Sequence, residues 1–373
     1  MRLMFVYWRT GDAGSAQTLY GYAKAAEAMG HEVMLYAPEE PFPVKCSLNL
    51  ESADAVIFVL EWNMYLHPGE LPKNTVRPAR PGLMGIGHLN LVRLMNRVPR
   101  ERRIVIDDDG MYNPITSVEG DFNHTSEEAC RLRMETYESL SDKIYQPTLH
   151  PVLPNVGSFL FHAYNPALEV PLDFSAKELG MIYVGSNWFR WRPMMRVLRA
   201  LEQVRSCVGR VCIVGRDWDR VPDWVESPLR EQAYYTDPAY LHGLDIDLLP
   251  PIPAQHVIAT MSRAVFNPVV VRPIFHHFEL INPRMFETPA ANTIPLFGLN
   301  PRYVGEIFGD RARELVLDEH AADKIADVMS RPEYYADIVR GIRRHLAETQ
   351  SYQKRLQELI QIIESKGLVA LCT

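Results

Sequence analysis

Short apolar runs alternate with amphipathic segments along most of the chain, and this alternation predicts strands and helices in turn. In the first half, the runs that predict strands are Leu3–Tyr7, Glu32–Ala37, Ala55–Leu60, Arg103–Asp107 and Lys143–Tyr145. The helical patterns between them run from Ser15 to Gly30, near Gly87–Arg97 and over Ser126–Leu140. Alternating strands and helices indicate a parallel sheet that is covered on both faces.

An irregular, proline-containing stretch at His162–Val170 interrupts the alternation, and we interpret it as a linker between two domains. Beyond it, strands are predicted at Met181–Val184, Arg210–Val214, Ala264–Asn267, Thr293–Phe297 and Glu314–Leu317. Helices are predicted from Pro193 to Val204 and, at the end of the chain, near Pro332–Glu348 and Ser351–Ser365. The fold class is therefore α/β, with two Rossmann-like doubly wound domains facing across a cleft, where ligands bind at the carboxyl ends of the strands.

Composition narrows the class of protein. The chain has 373 residues, 47% of them hydrophobic and 23% charged, which is typical of a globular protein too long for a single core. The formal net charge of −7 argues against a protein whose main task is to bind nucleic acid. The five scattered cysteines are typical of reduced thiols. No apolar run reaches the roughly 18 residues of a membrane span. We expect a soluble, cytoplasmic protein, and the sequence does not specify its oligomeric state.

The segment Phe278–Leu296, FELINPRMFETPAANTIPL, carries the strongest chemical signal. Asn282 followed by Pro283 is typical of a helix start, with the asparagine as N-cap and the proline as the first helical residue. Glu279 then lies in the loop that enters the helix. The free N–H groups of a helix start carry partial positive charge, which favours an anion there.

Arg284 and Glu287 lie in the first turns of this helix. A helix start with an added guanidinium suits a phosphate group, and a carboxylate one turn further can accept hydrogen bonds from paired ribose hydroxyls. The local chemistry therefore indicates a sugar nucleotide. The alternative is a solvated helix face, because charged residues are mostly exposed.

The loop Gly185-Ser186-Asn187 follows a predicted strand and precedes a predicted helix. Its backbone N–H groups, together with the guanidinium of Arg190, are candidates for binding a diphosphate, and Arg192 is a weaker candidate. The alternative is that Gly185 only makes the turn and the arginines are solvated.

Asp107-Asp108-Asp109 also follow a strand and should lie at the rim of the cleft. Adjacent carboxylates repel each other, so one of them can have a raised pKa suited to deprotonating an acceptor hydroxyl, and we assign Asp108 to that role. Alternatives are a divalent cation bound through oxygen and an ordinary acidic turn.

Two further groups of basic residues are candidates. His276 and His277 would point to opposite sides of an extended segment, and we assign His277 to contact with the transferred sugar; otherwise one is packed and the other exposed. His162 lies near the linker and thus near the cleft. A basic cluster is either a docking surface for an anionic acceptor or a solvated helix end, and its members are Arg93, Arg97, Arg100, Arg102 and Arg103.

Several segments together resemble nucleotide-sugar glycosyltransferases of the GT-B fold. Ala23–Pro38 is similar to their first helix–strand unit, and Phe286–Leu296 resembles their donor-site helix and the strand that follows. VGSNWFRWRP and CIVGRDWD fit the first two strand ends of the second domain, and Thr349–Ile363 is similar to the closing helix of the CgeB-like branch. Two departures are Asn292, where the family usually has glycine and where asparagine tolerates a left-handed conformation, and Pro289, which predicts a kinked or short helix.

The resemblance implies an enzyme that transfers a sugar from a nucleoside-diphosphate sugar to an acceptor hydroxyl. A UDP-sugar is the leading candidate for the donor. It implies retention of anomeric configuration, with neither metal nor cofactor. Residues 1–168 would form the acceptor-side domain, 169–348 the donor domain, and 349–373 a closing helix that returns to the first domain. The acceptor is open among a small molecule, a lipid, a protein and a modified nucleic acid. Alternatives are an epimerase or hydrolase on the same scaffold and a non-catalytic sugar-nucleotide-binding protein.

The resemblance also assigns roles to the candidate residues. Glu287 would bind the donor ribose, Glu279 would contact the transferred sugar, and Arg284 with the Gly185 loop would neutralise the diphosphate. The loop after the first strand contains Gly11, Gly14 and Ser15, which do not form a dinucleotide fingerprint because the required third glycine is missing. In the resembling fold this loop faces the cleft and contacts the acceptor or the donor phosphate.

Overall fold

A computed structural model describes residues 1–7, 14–38, 43–61, 94–115, 117–122, 126–223, 225 and 228–365, with backbone alone at 14–16 and 228–230. Its first sheet has seven parallel strands in the order β3-β2-β1-β4-β5-β8-β9. These strands are β1 (Arg2–Val6), β2 (Glu32–Tyr36), β3 (Lys45–Ser47), β4 (Ala55–Leu60), β5 (Arg103–Asp107), β8 (Ile144–Gln146) and β9 (Val156–Ser158). Strands β1 and β4 are neighbours, so the strand order reverses between them.

Helices cover this sheet, as the apolar pattern predicted. Helix α1 spans Gly14–Ala28, and Gly30 follows it in a left-handed conformation with φ of 74°. Helix α2 spans Glu127–Leu140, and its N-cap Ser126 accepts a hydrogen bond from the backbone N–H of Ala129. A short antiparallel hairpin, β6 (Ser117–Val118) and β7 (Asp121–Phe122), was not predicted.

The second sheet has five parallel strands in the order β12-β11-β10-β13-β14. They are β10 (Leu179–Val184), β11 (Val211–Val214), β12 (Ile246–Leu249), β13 (Ala264–Val269) and β14 (Ile294–Phe297). The helices around it are α3 (Trp191–Val208), α4 (Pro228–Ala233), α5 (Pro238–Gly243), α6 (Val257–Met261), α7 (Pro273–His277), α8 (Pro283–Ala290), α9 (Pro301–Phe308), α10 (Ala321–Ser330) and α11 (Pro332–Thr349). The buried apolar residues of this sheet and its helices form one large cluster and a second, smaller one.

Some predicted elements are wrong or missing. The apolar run Glu314–Leu317 is not a strand, because its first residues belong to a 3₁₀ turn and it makes one isolated bridge, from Val316 to Phe297. Strands β3, β9 and β12 were not predicted. The helical pattern near Gly87–Arg97 lies outside the described residues up to position 93.

The final helix, α12 (Tyr352–Glu364), packs back on the first sheet, as predicted. It contacts α1, and its buried Leu356 and Leu359 join the apolar core that includes β1. Just before it, the N–H of Tyr164 donates to the carbonyl of Gln350 at 2.8 Å, and Tyr164 pairs with Ser351 in a parallel bridge. The two segments that connect the sheets therefore lie side by side. The expected domain limits at 168 and 348 fall close to these segments and stay predictions.

Candidate functional site

Helix α8 begins where the sequence predicted, at Pro283 after Asn282. The carbonyl of Asn282 accepts from the N–H of Met285 at 3.1 Å, whereas its side chain makes no capping hydrogen bond. The side-chain oxygen of Asn282 is buried and has no hydrogen-bond partner within the described part of the chain. The helix is short, as Pro289 in its last turn predicted.

Arg284 and Glu287 form an ion pair on the first turn of α8. Nη1 of Arg284 lies 2.7 Å from Oε2 of Glu287, and the side chains are 27% and 17% exposed. Both groups are thus partly accessible and already oriented toward each other. A diphosphate beside Arg284 and a ribose beside Glu287 would each find a charged partner within one helical turn.

Asn292 does not adopt the left-handed conformation that we expected at the glycine position of the resembling family. It is absent from the described non-glycine residues with positive φ. Instead, its side-chain oxygen accepts from the N–H of Asp173 at 2.9 Å, and its amide donates to the carbonyl of Asp173 at 3.0 Å. The Asn292 side chain thus binds the backbone of the segment that precedes β10.

The loop Gly185–Asn187 follows β10 and is largely bound to neighbouring strand ends. The N–H of Gly185 donates to Val214 at 2.8 Å, and that of Asn187 donates to Arg216 at 3.0 Å. The fully buried amide of Asn187 donates to two further carbonyls. Of the three predicted N–H donors, that of Ser186 alone has no partner among the described residues.

Arg190 and Arg284 lie near the same buried tyrosine, which brings two predicted donor residues together. Burial raises the pKa of the Tyr183 hydroxyl, and the charges of Arg190 and Arg284 lower it. A β-carbon on Gly185 would lie 2.8 Å from the hydroxyl of Tyr183. Tyr183 therefore lies close to the Gly185 loop, to Arg190 and to Arg284 at the start of α8, at the carboxyl edge of the second sheet.

Glu279 lies in the loop before α8 with a positive φ of 52°. Such a backbone conformation is strained for a non-glycine residue and is common at functional sites. The carboxylate of Glu279 lies 3.2 Å from Nη2 of Arg302, and the Glu279 side chain is 12% exposed. His276 and His277 are not extended as expected, because both lie in the last turn of α7, so the two side chains are not on opposite sides.

Asp107 is a structural residue of the acidic turn. Its Oδ1 accepts from the N–H of Met111 and the hydroxyl of Tyr137, each at 2.9 Å. Its Oδ2 accepts from the N–H of Tyr112 and the amide of Gln146, each at 2.8 Å. Burial raises the pKa of Asp107, and these hydrogen bonds oppose the rise. Its four partners leave this carboxylate committed to holding the turn.

Asp108 is bound differently from Asp107. Its Oδ2 lies 3.2 Å from Nε2 of His162, and Nδ1 of that histidine lies 2.9 Å from the hydroxyl of Thr18. The side chains of His162 and Asp108 are 5% and 8% exposed. The other oxygen, Oδ1, is buried and has no hydrogen-bond partner among the described residues. Asp107 and Asp108 thus have separate partners and do not converge on one point.

Glu61, which the sequence did not single out, lies directly after β4 and beside the acidic turn. Burial raises the pKa of Glu61 to about 8, with added repulsion from Asp109 and Asp108, while a hydrogen bond from Tyr7 lowers it. The hydroxyl of Tyr7 donates to Oε1 of Glu61 at 2.8 Å. The sequence signal that could have identified Glu61 is its position, as an acidic residue directly after an apolar strand.

The acidic turn after β5 contacts the loop that precedes α8. Gly110 has a φ of 63°, and a β-carbon there would lie 2.6 Å from Cδ1 of Leu280. The N–H of Ile281 donates to the carbonyl of Pro147, next to β8, at 2.7 Å. Asp108 and Glu279 are therefore carried by turns that touch across the cleft.

A cavity of about 400 Å³ lies beside these turns. Thr18 and His162 line it from the first sheet's side, Glu287 lines it from α8, and Tyr352 lines it at the start of α12. Burial raises the pKa of Tyr352, a hydrogen bond with Thr18 lowers it, and the charge of Glu287 raises it. The cavity thus extends from His162, the partner of Asp108, to the start of α8.

A larger cavity of about 1520 Å³ borders α3, the β6–β7 hairpin and the loop after β14. It contains the predicted Arg192 and also His276, whose pKa is lowered by burial and by the nearby charge of Arg196. Arg192 donates to the carbonyl of Glu119 at 2.6 Å, which fixes it on the hairpin. Neither Asp108 nor Glu287 lines this cavity.

The basic cluster is used mainly inside the fold. Arg100 pairs with Asp142 and donates to two carbonyls, Arg102 donates to the carbonyls of residues 50 and 53, and Arg103 donates to those of residues 98 and 140. These contacts favour a structural role over a docking surface. Arg97 is exposed, whereas Arg93 and the loop glycine Gly11 lie outside the described residues.

Gly14 and Ser15 form the first residues of α1, which fixes only their backbone position. Within the described ranges, no three histidine, cysteine or acidic side chains are grouped so as to hold a metal ion. None of the helices in that part of the chain is both long and apolar enough to cross a membrane.

No family model and no curated protein matches the chain, so its resemblance to the CgeB-like branch stays a prediction. Solved structures do match. The T4 phage BGT in complex with UDP and Mn²⁺ is 14% identical with a TM-score of 0.58, over 98% of this chain and 100% of that one. An α-glucosyltransferase in complex with UDP and a 13-mer DNA containing a central A:G mismatch is 13% identical with a TM-score of 0.62, over 98% and 99%.

These matches and the two doubly wound sheets decide the architecture. The chain has a GT-B fold. At this level of identity the likeness establishes the fold alone. In this fold, Asp108 lies on a turn of one lobe that touches the loop before α8 in the other lobe. Arg284 and Glu287 lie in the first turns of α8, directly after that loop.

Four residues of this arrangement were missed or given little weight. Thr18 lies inside a helical pattern and Tyr352 at the start of the last helix, so neither has a local signal of chemistry. His162 was noted for its place near the linker alone. Glu61 had a positional signal at a strand end. Contacts between segments distant in sequence bring them together, since His162 lies 54 positions from Asp108 and Thr18 lies 144 positions from His162.

Proposed function

We propose that this chain is a glycosyltransferase that moves a sugar from a UDP-sugar to an acceptor hydroxyl without a metal ion. The observation that carries the proposal is the start of α8, where the ion pair of Arg284 and Glu287 lies next to a loop in contact with the acidic turn of the other lobe. The names of the solved structures with this fold, which include UDP and UDP-glucose, support the choice of donor.

The donor would lie along the carboxyl edge of the second sheet. Glu287 would accept hydrogen bonds from the ribose hydroxyls, and Arg284 with Arg190 would neutralise the diphosphate as negative charge develops on the leaving group. The Ser186 N–H is a further donor toward the phosphates. Glu279 and His277 would contact the transferred sugar, because both precede α8 on the side of the first lobe.

Asp108 would act as the base. Its Oδ2 is held by His162, whereas the buried Oδ1 has no partner among the described residues and would be the atom that takes the acceptor proton. The acceptor proton moves to Oδ1, the acceptor oxygen bonds to the anomeric carbon, and the bond from that carbon to the phosphate oxygen breaks. The electron pair of the broken bond leaves with UDP.

The stereochemistry separates two versions of this mechanism. Retention, implied by the resemblance, requires the acceptor to approach on the face of the leaving phosphate, whose oxygen then takes the proton. The free oxygen of Asp108 favours inversion, in which a base acts on the opposite face. Proton NMR of the first-formed product distinguishes the two through the anomeric coupling constant.

The acceptor is proposed at the level of a hydroxyl compound. One solved structure with this fold contains DNA. In this chain the guanidiniums of Arg100, Arg102 and Arg103 are bound to carbonyls or to an acidic side chain and do not form a free phosphate-binding stripe. A panel should therefore compare small-molecule, lipid and protein acceptors with DNA that carries a hydroxylated base.

The test begins with a thermal-shift screen of UDP-glucose, UDP-galactose and UDP-N-acetylglucosamine, since binding to the native state raises the melting temperature. Glu287→Ala should weaken binding of the best ligand by about 10- to 100-fold, the effect of losing hydrogen bonds to a charged group. Glu333→Ala is the matched control, because Glu333 is an exposed acid in the first turn of α11.

Activity is then measured as UDP release with EDTA present. Undiminished activity in Glu287→Ala with saturable donor binding would reject the donor assignment, and activity lost to EDTA and restored by Mn²⁺ would reject metal independence. Asp108→Asn should reduce UDP release by at least about 100-fold, within the range for general base catalysis.

A further inference from the structure

His162 is nearly buried, is bound on both ring nitrogens and contacts neither the start of α8 nor the Gly185 loop through any described hydrogen bond. Its Nε2 lies 3.2 Å from Oδ2 of Asp108 and its Nδ1 lies 2.9 Å from the hydroxyl of Thr18. The three side chains come from the turn after β5, the segment after β9 and helix α1. A histidine fixed in this way has one orientation and a defined proton position.

The chemistry of the partners sets that position. An ionised carboxylate only accepts hydrogen bonds, so Nε2 must carry the proton that faces Asp108. In the tautomer that donates to Asp108, Nδ1 accepts a hydrogen bond from the hydroxyl of Thr18. The Thr18 hydroxyl therefore supports the tautomer that the carboxylate requires.

The consequence for Asp108 is geometric. The contact with His162 fixes the carboxylate plane and leaves Oδ1 as the oxygen with no described partner. Without His162, the buried carboxylate would lose its described hydrogen bond and turn more freely.

We infer that His162, with its tautomer supported by Thr18, is a positioning residue that fixes the Asp108 carboxylate and leaves Oδ1 as the oxygen for the acceptor proton. This inference rests on the proposed function, since it assumes that Asp108 is the base. His162 does not exchange a proton with the substrate in this scheme. It acts through Asp108 alone.

Other charged and titratable groups face the same carboxylate. Glu61 approaches from the end of β4, Asp109 lies on the same turn, and Tyr22 faces it from α1. Arg355 and Glu358, from α12, lie near Tyr22 as well.

The experiment compares substitutions at two positions in the full chain. His162→Ala removes the donor, and His162→Gln retains an amide N–H that can reach the carboxylate. Thr18→Val removes the hydroxyl at nearly constant volume, whereas Thr18→Ser retains it. If Thr18 only fills space, valine should be tolerated as well as serine or better. If Thr18 sets the tautomer, serine should be tolerated and valine should not.

The readout is UDP release from the UDP-sugar that gives the largest thermal shift, with water as acceptor, between pH 5 and 9. His162→Ala should lower kcat by about 10- to 100-fold, consistent with loss of a hydrogen bond to a charged group, and leave the donor KM within about threefold. His162→Gln and Thr18→Ser should recover most of the lost kcat.

An unchanged kcat in both His162→Ala and Thr18→Val, with Asp108→Asn inactive, overturns the inference and leaves the proposed function standing. An active Asp108→Asn, or no thermal shift with any of the three UDP-sugars, overturns the proposed function and the inference with it.

Discussion

The ion pair of Asp121 and Arg272 joins the β6–β7 hairpin to the loop after β13 in an almost water-free environment. The side chains are 0% and 2% exposed. Oδ2 of Asp121 accepts from Nε of Arg272 at 2.9 Å and from the N–H of Ile274 at 3.0 Å. The guanidinium lies 4.2 Å from the ring centroid of Trp188. Removing either charge leaves the opposite charge of the pair in this buried environment.

Asp121→Asn keeps the size of the side chain and removes its charge. Breaking a buried pair from one side costs about 3–5 kcal/mol. The matched control is Asp337→Asn, since Asp337 and Arg340 form a pair at 2.9 Å whose side chains are 66% and 51% exposed. Such a surface pair contributes at most about 1 kcal/mol. At about 2–4 °C per kcal/mol for a domain of 150–250 residues, we expect a loss of about 6–20 °C against less than about 4 °C.

Differential scanning calorimetry at neutral pH measures both variants. The double variant Asp121→Asn/Arg272→Met should recover part of the loss, because neither charge is then left alone. Equal melting temperatures for Asp121→Asn and Asp337→Asn would refute the reasoning, as would a double variant less stable than the sum of the two single changes.

Three further predictions follow from single contacts. Gly110→Ala should lower UDP release and stability, by about 1–2 kcal/mol from the left-handed backbone alone, because the new methyl group also overlaps Leu280; chemical denaturation and kinetics check this. The melting temperature of Glu61→Gln should rise relative to that of the native chain as the pH increases from 5 to 9. The raised pKa of Glu61, about 8, means that its stabilising contribution is present below its unfolded pKa and lost as pH rises through 8; a pH series that shows no such divergence contradicts this. Leu356→Ala should cost about 2–5 kcal/mol in urea unfolding, since Leu356 is fully buried, and the more exposed Leu132→Ala far less.

The strands of the sheets were largely predictable because buried parallel strands are continuous apolar runs. The runs at Ala55–Leu60 and Arg103–Asp107 match β4 and β5 residue for residue. Glu314–Leu317 has the same apolar character, but its first two residues end a 3₁₀ turn, which an apolar run alone does not distinguish from a strand. The hairpin β6–β7 has strands of two residues each, too short for any periodic pattern.

The chemistry of the site was less predictable because it depends on contacts between distant segments. The start of α8 was predictable from Asn282 and Pro283, since caps are local signals. The separation of Asp107 from Asp108 was not, because Asp107 is held by residues up to 39 positions away. The basic cluster looked like a surface patch because the sequence does not show that its guanidiniums reach backbone carbonyls.

The paired segments around Tyr164 and Ser351 limit how the two lobes can move. The chain crosses from one lobe to the other at both places, and a hydrogen bond from Tyr164 to the carbonyl of Gln350 ties the crossings together. Two linked crossings permit less swivelling than one, and the buried pair of Asp121 and Arg272 also ties the β6–β7 hairpin to the second lobe. A disulfide that bridges the lobes far from these ties should therefore stop the movement that they still allow.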